Sequence, residues 1–142
     1  MELKSYLSEC SCKNLSYNFY THLSPAIWLV RVCSCSFCAK FKNHIYCSDP
    51  NGYVKYNVKN ISSLIIVKHG TRTADFLICE QCNSYMGAVM HSKKGIFSVI
   101  NIEYLNKNVK ISEPYKLKWN NEDKDIRLER RYATWTPVKK YF

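Results

Sequence analysis

The chain has 142 residues, enough for one domain with its own hydrophobic core, and 46% of them are hydrophobic. It carries 21 lysines and arginines against 11 acidic residues, a formal net charge of +10. No apolar run approaches the length of a membrane helix, and the first ten residues lack the apolar stretch of a secretory signal. We therefore expect a cytoplasmic protein, in which clustered cysteines indicate metal binding or catalysis rather than disulfides.

Short strands account for most of the sequence. Residues 14–20 alternate between apolar and polar, and residues 27–32 form a nearly continuous apolar run typical of a central strand. Residues 49–52, Asp-Pro-Asn-Gly, predict a turn, because proline presets one dihedral angle and Asn-Gly tolerates positive φ. Further strands are predicted over 53–58, 63–67, 74–79, 86–91 and 96–104, the last two as a hairpin across 92–95.

One segment has the composition of a helix. Residues 123–132 are highly charged, with Ile126 and Leu128 as apolar anchors, and predict two turns of surface helix. We interpret the whole chain, 1–142, as a single mainly β domain. Its core covers about residues 5–106, and a short helical or irregular extension over about 107–142 wraps or caps it.

Seven of the eight cysteines fall into three clusters. One- and two-residue gaps between thiolates let a short segment supply two corners of a zinc tetrahedron. Two pairs make a closed, four-thiolate site, and a triplet leaves one corner open, as catalytic zinc sites do. We therefore predict two zinc ions per chain. The clusters are Cys10 and Cys12, then Cys33, Cys35 and Cys38, then Cys79 and Cys82.

Spacing alone does not decide which clusters share an ion. Cys35 and Cys38 could join Cys79 and Cys82 in a two-knuckle site, although three cysteines would then have no role. The fourth corner of the triplet site could also be filled by His44 or Cys47, a few residues downstream. A buried free thiol is the simpler interpretation of Cys47.

The cysteine order, together with several other stretches, resembles the glutathione-dependent formaldehyde-activating family, which includes the domain of centromere protein V. The resemblance covers nearly the whole chain. Two usual glycines of the family, after the second cysteine of each pair, are Lys13 and Asn83 here, and both changes could loosen turns. The stretches are CSCSFCAKF (33–41), SDPNG (48–52), TADFLICEQC (73–82), GAVM (87–90), FSVINIEYL (97–105) and IRLERRYATWTP (126–137).

The resemblance implies a tent-like packing of short antiparallel sheets built around zinc sites. It implies that Cys10, Cys12, Cys79 and Cys82 hold a structural zinc, and that Cys33, Cys35 and Cys38 hold a catalytic zinc. The implied activity is that of a carbon-sulfur lyase, the reversible addition of formaldehyde to glutathione.

The expected partners are thus a small thiol, glutathione first, and a small aldehyde. With both sites filled, four thiolates with one zinc leave −2 and three with another leave −1, so +10 falls to about +7. This charge is spread along the chain, and we expect neither a membrane nor a nucleic acid as partner. Lys40, Lys42 and Arg72 could attract an anionic thiol. The alternative function is a non-catalytic zinc module that binds protein or nucleic acid, with Arg127, Arg130, Arg131 and Trp135 as its basic tail.

Overall fold

The computed structural model describes residues 2–33, 45–68, 74–105, 115–117 and 124–142. Within these ranges, the side chains at 32, 33, 115–117, 124 and 127 are not described. The prediction of a mainly β protein is confirmed, since the described residues form eleven strands and one α-helix. No helix in these ranges combines the length and the apolar character that crossing a bilayer requires.

The strands are numbered in chain order. The first six are β1 (Lys4–Glu9), β2 (Leu15–Thr21), β3 (Arg31–Cys33), β4 (Ile45–Cys47), β5 (Tyr53–Val58) and β6 (Leu64–Lys68). The last five are β7 (Asp75–Cys79), β8 (Ser84–Ser92), β9 (Gly95–Asn101), β10 (Tyr115–Leu117) and β11 (Thr136–Lys140). Helix α1 (Lys124–Thr134) directly precedes β11.

The strands pair into one branched sheet. Its main path runs β1-β2-β5-β11-β9-β4-β3-β10, and β8, β7 and β6 branch off from β9. Most pairs are antiparallel, but β11 lies parallel to β5 and β10 lies parallel to β3. Strand β11 therefore joins the β1-β2-β5 layer to the β9 layer, although it belongs to the last few residues of the chain.

The main core lies between these two layers. Inward side chains of β2 and β5 alternate with outward ones and are fully buried, as with Tyr17 and Tyr56. They pack with Leu77, Val89 and Ile100 from the other layer. A second cluster, which includes Met90 and Trp135, lies on the opposite face of β7–β9, where Leu128 and Tyr132 of α1 pack against it.

The predicted strand over 27–32 is only partly correct. A 3-10 turn occupies Pro25–Ile27, and the strand is limited to Arg31–Cys33. Trp28 lies in the core, where its indole N–H donates to the carbonyl of Leu23 at 3.1 Å. Burial of a single large aromatic ring thus explains part of an apolar run that resembles a strand.

The remaining strand predictions agree to within a few residues, and the helix predicted over 123–132 is α1. Strands β1, β4, β10 and β11 were not predicted. Each is short or polar, as β11 is with its sequence TPVKK, so its pairing comes from neighbouring strands rather than from its own pattern.

The predicted turn at 49–52 is present, but its glycine has a different role. The amide of Gly52 donates to the carbonyl of Asp49 at 3.1 Å, and its φ is not positive. A Cβ at position 52 would instead lie 2.2 Å from the carbonyl oxygen of Tyr20. The glycine is required because two backbones approach closely there.

Candidate metal centre

Two turns of the sheet place four cysteines together. Cys10 and Cys12 lie in the turn between β1 and β2, and Cys79 and Cys82 lie at the turn between β7 and β8. Their four Sγ atoms are all within 4.8 Å of one another, so the cluster could hold a metal ion. This is the grouping that the family resemblance implies.

The geometry fits zinc. A tetrahedral zinc with bonds of about 2.3 Å separates its sulfurs by about 3.8 Å. The Sγ atoms of Cys10 and Cys12 are 3.6 Å apart, and those of Cys12 and Cys79 are 3.5 Å apart. These distances are far longer than a disulfide bond of about 2.05 Å, and all four cysteines are free.

Both turns close through a residue in the left-handed conformation. Lys13 has a φ of 65° and Asn83 a φ of 57°, and no other non-glycine residue in the described ranges has a positive φ. The amide of Lys13 donates to the carbonyl oxygen of Cys10 at 2.8 Å, and the amide of Asn83 donates to the carbonyl oxygen of Cys79 at 2.7 Å. These are the two positions at which the family that the sequence resembles usually has glycine, the residue that adopts positive φ most easily.

Replacing Lys13 with glycine should stabilise the protein by about 1 kcal/mol, because a lysine side chain is strained at positive φ. Asn83→Gly should have a smaller effect, since asparagine tolerates this conformation. The free energy of unfolding in urea measures both effects. Lys59→Gly is the control: Lys59 is exposed and has an ordinary φ, so glycine there should destabilise. If the Lys13→Gly protein is no more stable than wild type, the lysine is not strained at this position.

The four thiols differ in their environments. Burial raises the pKa of Cys10 to about 12, against a hydrogen bond from the amide of Leu15. For Cys82, burial acts in the same upward direction but is outweighed by hydrogen bonds from the Ser84 hydroxyl, the backbone at Cys12 and the neighbouring thiols, and its pKa is lowered to about 6. Burial thus opposes ionisation of Cys10, which a bound cation would favour.

Polar groups around the cluster orient the sulfurs. The amide of Leu15 donates to the Sγ of Cys10 at 3.3 Å, and the Asn14 side chain approaches the Sγ of Cys79 at 4.0 Å. The Ser84 hydroxyl lies 3.1 Å from the Sγ of Cys82. Donors to metal-bound thiolates fix their orientation and spread their charge. Neither Asn14 nor Ser84 belongs to a recognisable motif, and only their positions beside the two cysteine pairs could have indicated them.

A third segment, residues 59–63, joins the two turns. Asn60 donates its amide to the Asn14 side chain at 2.8 Å and accepts from that side chain at 3.2 Å through its carbonyl oxygen. The carbonyl oxygen of Ser63 accepts from the amide of Glu80 at 2.7 Å, and its hydroxyl accepts from the side-chain amide of Gln81 at 3.1 Å. The two cysteine turns are thus held together by protein hydrogen bonds as well as by the sulfurs.

The predicted catalytic triplet falls largely outside the described residues. The backbone of Cys33 ends β3, where it pairs with Leu117 of β10. Cys35, Cys38 and His44 lie outside the described ranges, and so do Lys40, Lys42 and Arg72. The alternative pairing of Cys35 and Cys38 with the second knuckle therefore stays untested, as does the role of the triplet.

Cys47 is a buried core residue. Only 1% of it is exposed, and it packs in the main core. Burial raises the pKa of its thiol to about 12, although the guanidinium of Arg31 acts in the other direction. These properties agree with the interpretation of Cys47 as a small hydrophobe.

A cleft of about 520 Å³, lined by both charged and apolar side chains, lies at the end of β6, β7 and β8. Asp75 forms an ion pair there with Lys68, and its other carboxylate oxygen lies 3.4 Å from Nε2 of His91. Lys94 lies over the ring of Tyr132, 4.4 Å from its centroid. Spacing in the sequence did not indicate this ion pair, because it joins residues from two different strands.

Comparison with known proteins supports the fold but not a family. No family model matches the chain, and no curated protein matches it. A solved structure of a Rhodobacter sphaeroides protein, from the Northeast Structural Genomics effort, is similar to it with a TM-score of 0.52 and 18% identity. The match covers 75% of this chain and 97% of that one.

Proposed function

We propose that the four-cysteine cluster binds a structural zinc and that the triplet Cys33, Cys35 and Cys38 binds a second, catalytic zinc. The observation that carries this proposal is the convergence of Cys10, Cys12, Cys79 and Cys82 within 4.8 Å. Four thiolates complete a closed site, so the triplet is free to form a separate one with an open corner.

The proposed reaction is the reversible addition of formaldehyde, or a related small aldehyde, to glutathione or another small thiol. A bond forms between the thiol sulfur and the carbonyl carbon, and the thiol proton passes to the carbonyl oxygen. A zinc held by three thiolates would bind a thiol as its thiolate and supply Lewis acidity. The net charge of zinc and three thiolates is −1, so such a site would activate water poorly. The choice of formaldehyde and glutathione as substrates rests on the family resemblance.

Exchange NMR on a formaldehyde–glutathione mixture tests this function. Zinc-loaded wild type should accelerate exchange between free glutathione and its hydroxymethyl adduct, and Cys35→Ser should not. Cys47→Ser is the matched comparison, because this buried thiol is not among the seven proposed ligands. It should leave the exchange rate unchanged, and that result would also exclude Cys47 as a fourth ligand of the triplet zinc. Equal exchange with wild type and Cys35→Ser would rule out thiol–aldehyde catalysis at the triplet.

The second candidate is a non-catalytic zinc module. The basic tail suggested by the sequence does not support it, because Arg131 and Trp135 are both buried and pack on each other at 4.7 Å. A different surface favours it: a basic and aromatic face on β2, β5 and β11, in which none of the three strands contains an acidic residue.

A further inference from the structure

Two tyrosines form a stacked pair on the outer face of the β2-β5-β11 layer. Tyr20 and Tyr53 are direct cross-strand partners, and both lie at outward, half-exposed positions. Their rings are 4.4 Å apart and nearly parallel, at 19°. Their outward position distinguishes them from the core tyrosines Tyr17 and Tyr56, which are fully buried on the other face.

Lysines surround this pair. The Nζ of Lys139 lies 3.8 Å from the centroid of the Tyr53 ring. The Nζ of Lys55 lies 5.7 Å from the Tyr20 centroid and 5.9 Å from the Tyr53 centroid. In the described part of the chain, neither lysine forms an ion pair with a carboxylate. Both charges are therefore available to an anionic partner.

The rest of the face is polar and continues along the strands. Asn18 pairs with Lys55 across β2 and β5, and Ser16 pairs with Asn57 two residues further along. Lys140 reaches the Asn57 side chain at 3.5 Å. From Tyr53 to Asn57 the outward positions span about 13 Å, which corresponds to two or three nucleotides of an extended strand. Among the residues of β1, β2, β5 and β11, the acidic one is Glu9 of β1, opposite Ser16 at the far end. Asp49, which lies near the Tyr20 carbonyl, is buried and accepts from the Thr21 hydroxyl, so it does not face the surface.

We propose that this face, defined by Tyr20, Tyr53, Lys55, Lys139 and Lys140, binds single-stranded nucleic acid. Bases would stack on the tyrosine pair, the lysines would contact phosphates, and Asn18 and Asn57 would offer hydrogen bonds to base edges. An open sheet face with aromatic side chains and nearby cations is the arrangement with which proteins bind unpaired bases.

Energetics favour a base over the lysines that now cover the rings. An exposed cation–π contact is worth about 0.5–1 kcal/mol, whereas stacking of a base on an aromatic side chain is worth about 1–3 kcal/mol. A lysine displaced from a ring gains a phosphate contact instead. A double-stranded helix fits less well, since its bases are stacked internally and cannot reach the rings.

Fluorescence anisotropy with labelled oligothymidylate of about 12 nucleotides tests the proposal. Zinc-loaded wild type should bind it, and more tightly than it binds a duplex of the same length. The double substitution Tyr20→Ala/Tyr53→Ala should weaken binding at least tenfold. Lys55→Gln/Lys139→Gln should also weaken it, and should reduce the slope of log K against log salt by about 1.4, for two lost phosphate contacts.

Lys93→Gln/Lys94→Gln provides the matched control, because it removes the same charge from the β8–β9 turn, outside the proposed face. It should bind oligothymidylate within about twofold of wild type. Zinc content and the circular dichroism spectrum show whether each variant is folded, and Tyr20→Phe/Tyr53→Phe, which keeps the rings, should retain binding.

Three results would overturn the proposal. The first is equal weakening by the two lysine pairs with no effect of the tyrosine pair, which indicates attraction of any polyanion by net charge. The second is absence of oligothymidylate binding by folded, zinc-loaded wild type at low salt. The third is binding of heparin or duplex as tight as that of the single strand, because stacking on Tyr20 and Tyr53 then contributes nothing.

Discussion

Cys79→Ser should leave the chain unfolded at room temperature. Cys79 is fully buried at the end of β7 and belongs to the four-cysteine cluster. Zinc binding contributes about 10–16 kcal/mol in small structural sites, which equals or exceeds the 5–15 kcal/mol by which typical domains are stable. The zinc would connect the β1–β2 turn to the β7–β8 turn, nearly 70 residues apart in the chain, so its loss should affect both layers.

Circular dichroism and metal analysis of the purified protein measure this effect. Cys47→Ser is the matched control, since it places the same substitution at another buried thiol outside the cluster. It should keep the zinc content and the β spectrum and lose about 1–3 kcal/mol for burying a hydroxyl. Removing zinc from wild type with a strong chelator should reproduce the Cys79→Ser spectrum. If the Cys79→Ser protein is folded and unfolds as wild type does, the cluster does not maintain the fold through a metal.

Gly52→Ala should cost about 3 kcal/mol of stability, the upper end of the usual range for overpacking. The added Cβ would lie 2.2 Å from the carbonyl oxygen of Tyr20 and 3.2 Å from Oδ2 of Asp49. The first of these atoms belongs to the backbone of β2, which is held by its pairing with β5 and β1, so it cannot move without disturbing the sheet.

Urea denaturation of the zinc-loaded protein measures the difference in unfolding free energy. Asn51→Ala, at the adjacent and exposed turn position, is the control and should lie within about 0.5 kcal/mol of wild type. A Gly52→Ala protein that loses less than about 1 kcal/mol would show that the strands can separate locally at low cost.

Strand pattern was readable wherever one face of a strand is buried. Strand β2 alternates perfectly between buried and half-exposed residues, and β5 nearly so, so their period-2 signal was sufficient. This signal is absent from β11, because its sequence TPVKK does not alternate. The strand forms because it lies between β5 and β9 and pairs with both. The signal misled for residues 27–32, where burial of Trp28 by the rings of Tyr6 and Phe19 resembles a strand interior.

The cysteine spacing predicted metal binding but not which cysteine pairs meet. Gaps of one and two residues indicated metal binding, because they restrict two sulfurs to one ion. In a strand, Cys10 and Cys12 would have shared a face, but the structure places them in the turn after β1, where Lys13 at positive φ reverses the chain. Which pairs meet depended on the sheet, since β1–β2 and β7–β8 present their turns at the same end.

The sequence by itself determined the mainly β class, the turns at 49–52 and 92–95, and the presence of thiol clusters suited to a metal. These are local properties, fixed by side-chain type and spacing within a few residues. Only the tertiary structure decided that Cys10 and Cys12 meet Cys79 and Cys82. It also placed Tyr20 and Tyr53 beside lysines from two strands, although the charge is diffuse along the chain. Strand pairing joins residues that are far apart in sequence, and no local pattern records that pairing.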